Sequence, residues 1–86
     1  MISFEFQIQD PEGLTAKPAG QLVKEAIACT SKITLRKGEK SGDAKLIFHV
    51  LTLSVKAGQE VEILVEGEKE QEEAAALETF IREHIV

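Results

Sequence analysis

The segment Gly13–Ala26, GLTAKPAGQLVKEA, has the form of a helix start able to hold an anion. Thr15 precedes the apolar-periodic run and is a credible N-cap, its hydroxyl placed to satisfy a first-turn N–H. Pro18 falls in the first turn, where a missing N–H costs nothing, and Lys17 adds a positive charge. Three or four free N–H groups are expected there, which suits a phosphate. The anion-binding residues are therefore Thr15, Ala16 and Lys17. None of them can accept a phosphoryl group and hand it on. A phosphothreonine is an alkyl ester, and its alkoxide is a far poorer leaving group than an imidazole nitrogen. At Thr15 a kinase could leave a stable phosphate, which is modification and not transfer.

Other reactive side chains are few. His49 lies in the apolar segment Lys45–Leu53 and reads as a solvated or rim residue. His84 lies near the chain's end, where a helix C-terminus favours a cation. Cys29 has no C-x-x-C partner and no neighbouring base, so it reads as a small buried apolar residue. No Cys/His spacing for a metal exists, and no catalytic residue, metal or cofactor is expected.

These side chains need elements to position them. Ile2, Phe4, Phe6 and Ile8 alternate with polar residues from Met1 to Gln9, which predicts a one-faced strand ended by the turn DPEG. Ala19, Leu22, Val23, Ala26 and Ile27 form a helical stripe starting at Ala16. Lys32–Lys37 is a second strand, KGEK a hairpin turn, and Ser41–Ala44 a short edge strand. Lys45–Leu53 suggests about one and a half helical turns. Glu60–Glu66 alternates cleanly, and Lys69–Ile85 is a helix burying Ala74, Leu77, Ile81 and Ile85. The order β-α-β-β-α-β-α with one-faced strands predicts an α+β fold, a four-stranded antiparallel sheet with helices packed on one face.

At 86 residues the chain is expected to be a single domain, 1–86. Its longest apolar runs are too short to cross a membrane, and MISFEFQIQD has neither the basic nor the apolar region of a signal peptide. A cytoplasmic location is expected, and one unpaired cysteine fits a reducing compartment. Net charge is −5, unevenly spread: seven of ten basic residues lie between Lys17 and Lys45, and nine acids lie from Glu60 onward. The overall sign and the absence of Trp and Tyr argue against nucleic acid, while the basic part suits an acidic partner.

Over its whole length the chain resembles the HPr family, phosphocarriers of the bacterial phosphoenolpyruvate-dependent sugar phosphotransferase system. The family pattern G-L-H-[TA]-R-P-A aligns with Gly13-Leu14-Thr15-Ala16-Lys17-Pro18-Ala19. QLVKEA (Gln21–Ala26), ITL (Ile33–Leu35), Ala44-Lys45, Phe48, Thr52-Leu53 and EGEKEQEEA (Glu66–Ala74) match further. The resemblance implies an open-faced β-sandwich. It also implies that Thr15 occupies the active-site histidine position, Lys17 that of the arginine, and Leu46 that of the regulatory serine of many Gram-positive members. It places partner docking on Ala16, Gly20, Lys24, Ile27, Leu46, Ile47, Phe48 and Leu51, with Ile47 and Phe48 at the centre and Lys24 and Lys45 as a basic rim. Five large apolar residues in so short a helix cannot all face inward, so some must stand in solvent.

Three readings follow. In the first, the chain is a regulatory or docking module that cannot carry phosphate on residue 15. It binds proteins of the phosphotransferase system, or a regulator or kinase, as a monomer or weak dimer. In the second, it is an active phosphocarrier using another residue, or one whose histidine has been replaced by mutation. A structural domain that pairs through its apolar patch is a third, weaker reading.

Overall fold

The computed structural model describes residues 1–85. Its first strand β1, Ile2–Gln7, is built by the alternation of apolar and polar side chains. Next come α1 (Ala16–Ile27), β2 (Lys32–Lys37), β3 (Lys40–Asp43) and α2 (Ile47–Thr52). Strand β4 (Glu60–Glu66) and helix α3 (Glu70–His84) complete the order. The strands form one sheet in the order β1-β4-β2-β3, every neighbouring pair antiparallel. This is the α+β open-faced sandwich expected from the one-faced strands.

The register fixes which side chains meet. Phe4 faces Ile63, Leu35 faces Ile63 from the other side, and Ile33 faces Val65, all on the helix side. Phe6, Ile33, Leu35, Val61, Ile63 and Val65 are buried against Ala19, Leu22, Val23 and Ala26 of α1 and Ala74, Leu77 and Ile81 of α3. Each large aliphatic side chain so buried contributes roughly 1.5–3 kcal/mol. The other sheet face is polar, with Glu62 between Glu5 and Arg36 across three strands.

Small differences from the expected pattern have local causes. β1 closes at Gln7, although Ile8 is still buried and its N–H donates to the Gln59 carbonyl at 3.0 Å. Ile27 leaves the buried stripe of α1 and stands 60% exposed at the last turn, beyond the reach of the sheet. Cys29 is half-buried and not part of the core; its thiol donates to the Glu25 carbonyl at 3.5 Å. Burial pushes this thiol's pKa up, Glu73 adding to the effect, so the thiolate is disfavoured. No helix among the described residues is long and apolar enough to cross a membrane.

One contact has no counterpart in hydrophobic patterning. The Glu73 carboxylate on α3 accepts from the Thr30 N–H (2.7 Å) and hydroxyl (3.1 Å), and from the Ser31 N–H (2.9 Å) and hydroxyl. Ser31 is buried. The carboxylate thus satisfies the backbone that links α1 to β2 and pins it to α3. The Ser31 hydroxyl and the Thr30 N–H, as donors to the ionised form, hold the Glu73 pKa down at about 2.

Candidate functional site

Position 15 is set by the loop before it. Gly13 takes φ +79 and is packed so tightly that a Cβ would lie 2.6 Å from the Val55 carbonyl oxygen. The Leu14 N–H donates to that same oxygen at 2.9 Å. The start of α1 is therefore fastened to the segment that follows α2. Thr15 occupies the N-cap with extended backbone, but its hydroxyl makes no capping bond; its carbonyl accepts from the Ala19 N–H at 2.9 Å. The expected hydroxyl cap is absent because that oxygen is left to solvent on an exposed residue.

This geometry also reduces the expected number of free donors. Pro18 has no N–H and that of Ala19 is used by Thr15, so Ala16 and Lys17 supply the free N–H groups of the first turn. Thr15, Ala16 and Lys17 are all exposed. Two N–H groups and one flexible ammonium are thus open to solvent at this helix start, without the forked geometry that arginine would add.

The second half of the site lies along α1 and α2. The Lys45 Nζ donates to the Cys29 carbonyl at 2.9 Å, tying the start of α2 to the end of α1. With Leu14 bonded to Val55 at the other end, the two helices run side by side in opposite directions. Phe48 is 76% exposed, Leu46 48% and Ile27 60%, while Ile47 and Leu51 are half-buried and pack against the core. Val50 alone is buried in α2. The five apolar residues are thus divided by helical geometry: one inward, two lateral, two outward. Phe48, not Ile47, is the residue most open to solvent. Gly20 is exposed with open space about it, and Lys24 is exposed in the last turn of α1. Lys45 is half-buried and already bonded, so it is a tether and not a free rim cation.

The two histidines lie elsewhere than the start of α1. His49 is exposed, and its Nδ1 accepts from the Asp43 N–H at 3.2 Å, capping the outer edge of β3. His84 is exposed in the last turn of α3, its ring 4.8 Å from that of Phe80. Among the described residues, no group of three or more His, Cys, Asp or Glu side chains is arranged to hold a metal. Sequence reasoning missed the Glu73 clamp and the tether from Lys45 to Cys29. Both join residues distant in sequence, and neither has a local pattern that would disclose it.

A family model described as the PTS HPr component phosphorylation site matches residues 2–83. The phosphocarrier protein HPr of Lysinibacillus sphaericus is 39% identical over 79 residues, which cover 92% of this chain and 90% of that protein. The HPr-like protein Crh of Bacillus subtilis is 34% identical over 85 residues, covering 99% of this chain and 100% of Crh. Among solved structures, a histidine-containing phosphocarrier protein of Mycoplasma superposes with a TM-score of 0.89 at 34% identity, over 99% of this chain and 98% of that one. The crystal structure of Bacillus subtilis Crh, a dimer with a swapped domain, gives a TM-score of 0.75 at 34% identity, over 100% of this chain and 99% of that one.

Proposed function

The chain belongs to the HPr family, and on that premise we propose that it acts as a docking or regulatory module that does not carry phosphate on residue 15. One observation carries this reading. An exposed apolar cluster of Ile27, Leu46 and Phe48 stands on the same pair of helices as an anion cradle whose side chain is a threonine. The docking surface consists of Gly20, Lys24, Ile27, Leu46, Ile47, Phe48 and Leu51, with Phe48 at its centre. Apolar side chains beside a cation fit an acidic, grooved partner. That partner is a protein of the phosphotransferase system, or a regulator or kinase that reads the same face. The match to Crh, described as a catabolite-repression HPr, over nearly the whole chain supports a regulatory role. That Crh is found as a dimer supports a weak self-association here too.

The test is labelling. Incubation with labelled phosphoenolpyruvate and the family's enzyme I should leave the chain unlabelled. An acid-labile, base-stable label would sink the proposal, and on His49 it would favour the second reading, a phosphocarrier using another residue. The double variant Thr15→His with Lys17→Arg should gain phosphoacceptor activity, since the Ala16 and Lys17 N–H groups are retained. A folded double variant that takes no label would mean that more than the acceptor has diverged.

A further inference from the structure

Where α2 meets the outer, β3 edge of the sheet lies a hollow of about 290 Å³. It is lined by Lys32 and Thr34 of β2, Ser41, Gly42 and Asp43 of β3, and His49 of α2. Gly42 makes this arrangement possible. A Cβ there would meet the His49 Cβ at 3.0 Å and its carbonyl oxygen at 3.2 Å, so glycine lets α2 come closest to the edge strand. The Asp43 N–H then occupies Nδ1, which puts the ring proton of the neutral imidazole on Nε2 and orients the ring.

The donors of this hollow have no internal partners. Lys32 is exposed and makes no ion pair among the described residues, although Glu66 lies opposite it in the register. The hydroxyls of Thr34 and Ser41 make no hydrogen bond there either, while the neighbouring Arg36 is consumed by Glu62. The one acid in the lining, Asp43, turns an oxygen back to the Lys45 N–H at 2.9 Å. Residues carrying an ammonium, an oriented imidazole and two free hydroxyls therefore line one space around the β3 edge, of a size at the lower end of small-ligand sites.

We propose that this hollow binds a phosphomonoester of a small polyol. Lys32 and His49 hold the phosphate, and the Thr34 and Ser41 hydroxyls bond the polyol. Phosphate carries the charge that an ammonium selects, and the hydroxyl pair can both donate and accept, as polyol recognition requires. The site makes no use of Thr15 or of the Phe48 face, so it stands or falls separately from the docking reading.

Amide NMR of the intact chain, titrated with glycerol 3-phosphate at ionic strength held constant with sodium chloride, tests this. Saturable shifts are expected at the amides of Lys32, Thr34, Gly42 and Asp43 and at the His49 ring. Inorganic phosphate should move the same signals with weaker affinity. Lys32→Gln should weaken binding of glycerol 3-phosphate roughly tenfold or more, through the lost charged hydrogen bond, with the rest of the spectrum unchanged. Shifts confined to Ala16 and Lys17, shifts that grow without saturating, or an unchanged affinity in Lys32→Gln would each overturn the proposal. If Lys32→Gln perturbs the fold, the titration of the unsubstituted chain decides by the first two criteria.

Discussion

Phe48 and Val50 sit two residues apart in the same short helix, yet one stands in water and the other is sealed in the core. The difference sets distinct costs for truncating them. Removing the mostly exposed Phe48 ring takes little internal contact away, so Phe48→Ala should stay within about 0.5 kcal/mol of the parent's stability. It should nevertheless weaken capture of a docking partner by more than about 2 kcal/mol, the mark of a central apolar anchor. Leu22→Ala is the control: fully buried under the sheet, it should cost roughly 2–5 kcal/mol in a urea melt. If Phe48→Ala unfolds the chain, or leaves partner capture intact, the exposed ring is not the anchor. Ile47, half-buried, should show a mixed effect, losing both some stability and some binding.

At the scale of elements, two carboxylates respond to pH in opposite senses. Glu73 clamps the α1–β2 connection, and its pKa is held at about 2, below the ordinary value of 4.5. A depressed carboxylate contributes stability that is fully present above its unfolded pKa and lost as pH falls toward the folded one. Unfolding midpoints should therefore fall between about pH 4.5 and 2, and Glu73→Gln should flatten that part of the profile. An unchanged profile in Glu73→Gln would assign the acid sensitivity elsewhere. Glu5 on β1 behaves otherwise: a hydrogen bond with Glu60 and repulsion from it, with Glu62 adding, raise its pKa. Its register opposite Glu62 sets like charges against each other, and Arg36 only partly offsets them. A raised carboxylate favours the folded state at low pH and loses that contribution as pH rises through its folded pKa. At neutral pH, Glu5→Gln should thus raise the urea midpoint, and a lower midpoint would contradict the repulsion. The two free sheet edges are guarded comparably. Arg82, bridged to Glu78, donates to the Glu5 carbonyl on β1, and His49 accepts from Asp43 on β3.

Across the whole molecule, charge is divided between a basic middle segment and an acidic C-terminal one, with a net charge of −5. An acidic partner should therefore associate more slowly as salt is added, because the Debye length shrinks from ~10 Å at 0.1 M to ~3 Å at 1 M. Association rates by stopped flow should fall with salt while dissociation changes little; salt-independent association would argue that the Lys24 side of the face plays no part. The sequence by itself determined the element order, the one-faced strands and the helix start at Ala16, because alternation, helical spacing and turn residues are local signals. It also placed a threonine and a lysine, Thr15 and Lys17, at that helix start. Only the tertiary structure decided which of the apolar residues of α2 are left in solvent, since a helix of six residues can be rolled several ways until the sheet and α1 take Val50. The same holds for the two free N–H groups of α1, for Lys45 as a tether and for the Glu73 clamp. These depend on bonds between segments far apart in sequence, as from Thr30 to Glu73, whose geometry exists only once the helices have packed on the sheet.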